Sequence, residues 1–338
     1  MRSLVCIMPG QFEYQTAEKP ERKKHHSIIQ IKRIGICGTD LHAFEGTQPY
    51  FEYPRILGHE LAAIVDETEQ GSGFVKGEAV TIIPYFNCGH CIACTNGKPN
   101  CCVHMQVCGV HVHGGMTTYL SVPNYSILKG NGLNFDELAL VEPLAIGAHG
   151  VARAGVVKDE YVLVVGAGPI GLGIIEFVKI AGAHVIALDV NERRLSFCKE
   201  KLLVRHTING RKENVMERLK EITTGNLPTV VVDATGNLKA INSSFEYLAH
   251  GGRYVMVGLQ KGDITFSHPE FHKREATLMS SRNATRADFE FVVSCIQKEM
   301  IDPAVFITHK FPFETVKDNF KSLLHPESGV IKAIIEME

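Results

Sequence analysis

The 338 residues carry 35 basic against 37 acidic side chains, a formal net charge of −2, which argues against a chain held to nucleic acid by phosphate neutralisation. Hydrophobic residues make up 45% and charged residues 21%, a globular composition on a chain too long for one small core, so about two domains are expected. The opening MRSLVCIMPGQF has too short an apolar run for a secretory signal, and the longest uncharged apolar stretch, 161–175, holds four glycines and a proline and falls short of the ~20 residues a membrane span needs. With no export signal, the ten cysteines read as thiols or metal ligands rather than disulfides, and a cytoplasmic protein is expected.

Up to about residue 140 the chain shows short β-like runs (SIIQIKRIGI, LAAIVDET, EAVTIIPY) punctuated by Gly, Pro and Asn, the pattern of an irregular mostly-β domain. The basic stretch KPERKKHHS at 19–27 reads as a solvated loop between strands. GICGTDLH at 35–42 then places a cysteine, a hydroxyl, a carboxylate and an imidazole in one turn of sequence. By itself it reads as a helix starting near Leu41 and capped by Thr39 or Asp40, with Cys37 a small buried hydrophobe and His42 on the surface. Farther on, GHE supplies His59 and Glu60, and VEPLA supplies Glu142. One thiolate, one imidazole and two carboxylates are enough to draw three ligands and leave a water position, the pattern of a catalytic zinc. Either glutamate can be the third ligand.

The segment CGHCIACTNGKPNCC spaces Cys88, Cys91, Cys94 and Cys102 as C-x2-C-x2-C-x7-C, a set that closes a structural zinc with no open position. An iron–sulfur run opens in the same way but continues with a fourth cysteine at x3 followed by proline, which this chain lacks. Cys101, beside Cys102, is an alternative fourth ligand.

Around residue 160 the rhythm changes to alternating strand and helix. YVLVVGAG runs into the helical PIGLGIIEFVKIAGA; HVIALDV and NERRLSFCKEKL repeat the pair; VVVDATG, RYVMVGL and ATLMSS continue the strands. Near-continuous apolar strands of this kind form a parallel sheet covered on both faces. Gly166, Gly168 and Gly171 stand in G-x-G-x-x-G spacing between the first strand and helix, and Asp189 ends the next strand 18 residues beyond Gly171. That context makes a dinucleotide site. The acid accepts hydrogen bonds from ribose hydroxyls and repels a 2′-phosphate, which favours NAD over NADP, although Arg193 and Arg194 follow it. The plain alternative makes Asp189 the cap of the NERRL helix. A helical ADFEFVVSCIQKEM and a final strand GVIKAIIEM close the chain and are expected to return to the first domain.

GICGTDLH, LGHE, the four-cysteine lobe, GGMTTYLSVP, VEPLA and VVGAGPIG occur in the order seen in zinc-dependent medium-chain alcohol and polyol dehydrogenases, and the chain resembles that family across its whole length. A glutamate after the GH histidine and another before the proline resemble its sorbitol and threonine dehydrogenase branch. QPYFEYPRILGHE and FSHPEFHKREATLMSSRNAT are most similar to bacterial L-galactonate oxidoreductases. The resemblance implies a GroES-like catalytic domain at 1–145 with a zinc lobe at about 85–105, a Rossmann NAD domain at 146–285 and a C-terminal return at 286–338. It also implies two zincs per chain, a site in the cleft between domains, and a homodimer or homotetramer. By position, Cys37, His59 and Glu60 resemble the catalytic zinc ligands, and Glu142 the acid that replaces Glu60 or holds its water. Cys102 resembles the fourth lobe ligand, Thr39 and His42 the proton relay, and Ile170, Asp189 and Arg194 the NAD contacts. His111 and His113 before GGM depart from the family pattern, which affects the shape of the substrate pocket rather than the reaction.

Oxidising a secondary alcohol removes a proton from oxygen and a hydride from carbon. Zinc lowers the pKa of water from 15.7 to about 7, roughly 12 kcal/mol at ~1.36 kcal/mol per unit, more than a general base supplies. Thr39 is then placed to bond the substrate oxygen and His42 to pass the proton to solvent. Arg282 and Asn283, after an apolar strand, are candidates for a substrate carboxylate or the nicotinamide. The expected reaction is hydride transfer from a sugar acid such as an L-galactonate-like aldonate to NAD. The alternatives are the same chemistry on sorbitol, galactitol or L-threonine, or a non-catalytic NAD-binding sensor, which has no need of an open zinc.

Overall fold

A computed structural model describes residues 1–48 and 51–338; Pro49 and Tyr50, inside the QPYFEYPRILGHE stretch, lie outside the described residues. The chain divides into two compact units, Met1–Glu142 with Thr285–Glu338, and Pro143–Ala284.

The first unit is built on the strand His26–Ile36, eleven residues whose isoleucines are almost all buried. One flank pairs antiparallel with Glu60–Glu67 and the other with Tyr119–Pro123 and then Lys332–Glu336, so this strand has no free edge and reads as an apolar run. Ile307–Pro312 adds parallel to Lys332–Glu336, and Ala79–Ile82 and Ile127–Lys129 extend the other side. The core beneath includes Phe12, Phe44 and Phe320, with ring centroids 4.9 to 5.2 Å apart. Helix Gly38–Glu45 starts three residues before the Leu41 expected from sequence. Neither Thr39 nor Asp40 is its cap: Cys37 holds the N-cap position, and Asp40 sits inside the first turn, fully buried, accepting the Cys37 N–H at 2.9 Å.

The second unit holds a six-stranded, wholly parallel sheet in the order His206–Asn209, His184–Asp189, Tyr161–Val165, Val230–Asp233, Arg253–Met256, Thr277–Ser280. This is the expected doubly wound Rossmann order. Chain direction switches between Tyr161–Val165 and Val230–Asp233, and a ligand crevice opens outside the carboxyl ends of such strands. Among the described residues no helix is long and apolar enough to cross a membrane.

Phe320 lies in the C-terminal segment yet contacts both Phe12 and Phe44. Phe320→Ala is expected to cost about 3–5 kcal/mol of stability, measured as a fall in the urea midpoint of this unit followed by near-ultraviolet circular dichroism.

Candidate active site and coenzyme turn

The central strand delivers Cys37 at its carboxyl end, and the neighbouring strand begins with Glu60, directly after His59. One ligand atom each from Cys37, His59 and Glu60 fall within 4.8 Å of one another. Glu60 is fully buried, His59 is 5% exposed and Cys37 is half-buried. Asp40 ties these segments together: one oxygen accepts the Cys37 N–H, the other accepts the Gly58 N–H at 3.1 Å and lies 3.7 Å from His59 Nδ1. By sequence Asp40 reads only as a candidate cap; its burial and its second amide follow from the fold. His59 Nδ1 is buried without a hydrogen-bond partner among the described residues. Burial works against the charged imidazole, but Asp40 and then Cys37 outweigh it and raise the His59 pKa well above its ordinary value. Positive charge is thus favoured at this ring by the groups that face it.

Two further charged groups, neither of them in that 4.8 Å set, adjoin it. Glu142, in the first turn of Val141–Ala154 and 4% exposed, accepts a hydrogen bond from the buried Tyr85 hydroxyl. Lys332, 3% exposed, places its ammonium 2.6 and 2.7 Å from the two Glu60 oxygens. Sequence reasoning missed Tyr85 and Lys332. A lysine flanked by apolar residues in VIKAII was the available signal for the second. Thr39 is half-buried in the first turn of Gly38–Glu45. His42, three residues on and exposed, lies 3.2 Å from Thr47 Oγ1 and 3.6 Å from the Glu45 carboxylate.

In the lobe the sulfurs of Cys88, Cys91, Cys94 and Cys102 also lie within 4.8 Å of one another, with individual separations of 3.5, 3.5 and 3.8 Å. Zinc–sulfur bonds of about 2.3 Å in a tetrahedron separate sulfurs by about 3.8 Å, so the cluster fits a closed zinc. Of the neighbouring pair Cys101 and Cys102, the cluster contains Cys102. Backbone amides, that of Cys94 first, pull the Cys91 pKa down to about 6, a thiolate suited to metal. All ten cysteines are free of disulfides.

In the second unit Gly166 follows Tyr161–Val165 at φ 96°, and a Cβ on Gly171 would stand 1.8 Å from the Gly166 carbonyl. These two glycines close the turn onto the helix Pro169–Ile180. Gly168 is its N-cap, where an added Cβ would meet only the Arg194 guanidinium, at 3.9 Å, so the backbone there can be approached closely. Ile170 is half-buried in the first turn. Asp189 does not cap the following helix, because Asn191 does. Its oxygens instead accept the N–H groups of Ala167 at 2.7 Å and Asn191 at 2.8 Å, and Arg194 lies 3.8 Å away. Each carboxylate oxygen keeps a lone pair beyond those bonds. Arg282 is exposed and Asn283 has a left-handed φ of 53°; both belong to this unit and not to that of Cys37. His111 accepts the Val107 N–H through Nδ1 and braces its own loop, whereas His113 accepts the Ile56 N–H and ties that loop to the strand Arg55–Ile56.

Comparisons with known proteins agree with this architecture. Residues 23–131 match the alcohol dehydrogenase GroES-like domain and 169–298 match the zinc-binding dehydrogenase model. The chain is 40% identical to L-galactonate-5-dehydrogenase of Escherichia coli K12, over 99% of this chain and 98% of that protein. An alcohol dehydrogenase from E. coli CFT073, complexed with NADH, superposes with a TM-score of 0.93 at 29% identity, over 99% of each chain. L-idonate 5-dehydrogenase of E. coli K-12 superposes at 0.89 with 26% identity, over 99% of this chain and 97% of that one. Two-domain zinc dehydrogenases are the class that this fold and these clusters define. The chain belongs to the zinc-type medium-chain alcohol dehydrogenase family and is an oxidoreductase.

Asp40→Ala leaves two amide N–H groups without their carboxylate acceptor, at a cost of about 2–5 kcal/mol. Urea denaturation should show this loss, with Asp40→Asn losing less because its carbonyl oxygen still accepts one of the two.

Proposed function

We propose that the chain oxidises a secondary hydroxyl of a sugar acid, an L-galactonate-like aldonate first among candidates, with NAD as hydride acceptor and zinc at Cys37, His59 and Glu60. The convergence of those three side chains within 4.8 Å, with His59 and Glu60 buried, carries this reading. The full-length likeness to L-galactonate-5-dehydrogenase supports the sugar acid, and likeness to an NADH complex supports the coenzyme. Bound there, zinc would acidify the hydroxyl and NAD would take the hydride.

The remaining work falls to the chain. Thr39, two residues after Cys37, offers a hydroxyl that bonds the substrate oxygen and accepts its proton. His42 stands three residues along the same helix, on the same face, and its exposure lets it release that proton to water. Glu142, held by Tyr85, either replaces Glu60 on the metal or holds its water. Cys88, Cys91, Cys94 and Cys102 hold the second, structural zinc. Gly168 with Ile170 seats the pyrophosphate side of NAD, and Asp189 with Arg194 binds its adenosine ribose. Arg282 and Asn283 are assigned to the substrate carboxylate or the nicotinamide. Ten unbridged thiols fit a reducing, cytoplasmic compartment, and a homodimer or homotetramer is the family's usual assembly.

NAD reduction on L-galactonate, related aldonates, sorbitol, galactitol and L-threonine, each with and without a zinc chelator, tests the substrate. Chelator-sensitive turnover on an acid supports the proposal; turnover on neutral polyols alone keeps the mechanism and moves the substrate. Thr39→Val should keep both zincs and NAD binding while turnover falls about 10²–10⁴-fold; unchanged turnover removes it from the relay. Asp189→Gly should narrow the preference for NAD over NADP by about 10–100-fold, the worth of hydrogen bonds to a charged group, read from the ratio of kcat/KM values.

A further inference from the structure

Glu60 and Lys332 lie on strands that do not touch. The strand His26–Ile36 runs between them, paired antiparallel to both. Glu60 stands opposite Gly35, and Gly35 opposite Ile334, so these three positions form one row on one face of the sheet. Lys332, two residues before Ile334, points to that same face. Neighbouring strands are about 4.8 Å apart, so the ammonium and the carboxylate meet only by crossing the middle strand, roughly 10 Å in all. A side chain at position 35 would stand in the way: a Cβ built on Gly35 lies 2.0 Å from Glu60 Oε2 and 2.9 Å from its Cβ. The missing side chain is the passage through which the pair forms.

The contact it admits leaves no donor of the lysine unused. An ammonium has three N–H groups, and Lys332 Nζ has three acceptors: Glu60 Oε1 at 2.6 Å, Glu60 Oε2 at 2.7 Å and the Ile36 carbonyl at 3.2 Å. A buried lysine with every donor satisfied does not rotate freely, and neither does a carboxylate gripped at both oxygens. The Ile36 carbonyl belongs to the residue before Cys37, so one ammonium fixes the approach of two members of the cluster. Side chains that hold metal ligands in place in this way typically govern metal affinity by about 10–100-fold.

We propose that Lys332, admitted by Gly35, is a positioning residue: it holds Glu60 toward Cys37 and His59 and sets how firmly that cluster retains a divalent metal. The inference rests on the reading of Cys37, His59 and Glu60 as metal ligands. It assigns the C-terminal strand a part in the metal centre that no ligand motif encodes.

Zinc per chain, counted before and after graded challenge with dipicolinate, tests it without reference to turnover, and the lobe zinc serves as internal control. Wild type should start with two zincs. Lys332→Met should surrender one of them about 10–100-fold more readily and keep the lobe zinc. Lys332→Arg, which keeps the charge and the donors, should recover most of the difference. Gly35→Ala, which displaces Glu60 with Lys332 intact, should show the same selective loss as Lys332→Met. Equal retention of both zincs in Lys332→Met and wild type overturns the proposal. So does equal loss of both zincs in Lys332→Met, because the lysine then supports the fold rather than the site. A wild type that carries only the lobe zinc overturns the ligand reading itself, and the role of Lys332 with it.

Discussion

Bringing a thiol, an imidazole and a carboxylate to within 4.8 Å of one another in a buried pocket runs against their desolvation, and the surrounding first unit is arranged to offset that cost. A buried charge without a partner costs several kcal/mol, and countercharges and hydrogen-bond donors stand around the cluster. Asp40 faces His59 and ties the Cys37 and Gly58 amides, Lys332 grips Glu60, and Tyr85 bonds Glu142. The strand His26–Ile36 makes this possible. It ends at Cys37, carries Glu60 on one flank and Lys332 on the other, and leaves a gap at Gly35 for the last two to meet. Chain segments almost 300 residues apart, Ile36 and Lys332, thus converge through hydrogen-bond register alone.

The second unit solves a different problem, a close backbone approach to a pyrophosphate. Its sheet places Gly166 and Asp189 at the carboxyl ends of adjacent parallel strands, and Asp189 bonds the Ala167 amide within the glycine turn. Asp189, proposed to favour NAD over NADP, therefore also fastens the turn proposed to seat the phosphates. Asn191, and not Asp189, caps the next helix, and Asp189 accepts the Asn191 N–H.

Family membership and the site geometry account for different parts of the chemistry. Membership shows a zinc-type dehydrogenase. The arrangement around Cys37 supports, residue by residue, a proposed route by which a hydroxyl proton leaves through Thr39 and His42. The substrate rests mainly on likeness, because Arg282 and Asn283 stand in the coenzyme unit and the His111 and His113 rings already accept the backbone N–H groups of Val107 and Ile56.

Much of this was legible in the residues themselves. Strand–helix alternation and glycine spacing specify a Rossmann unit locally, since each element carries its own periodicity and each turn its own glycine. Cysteine spacing in the lobe did the same for the four-sulfur cluster, because a short segment limits where its ligands can go. Helix Gly38–Glu45 was placed too late because the sequence shows Asp40 only as a capping residue, whereas its burial makes it a tie between two segments. Lys332, Tyr85 and the role of Gly35 were beyond local reading. Propensity and spacing act over a few residues, but which strand lies beside which is decided by the packing of the whole sheet. The sequence by itself determined the ligand types, the coenzyme turn and the class of reaction they suit. Tertiary structure alone decided the companions of those ligands, because countercharge and open passage exist only once distant strands pair.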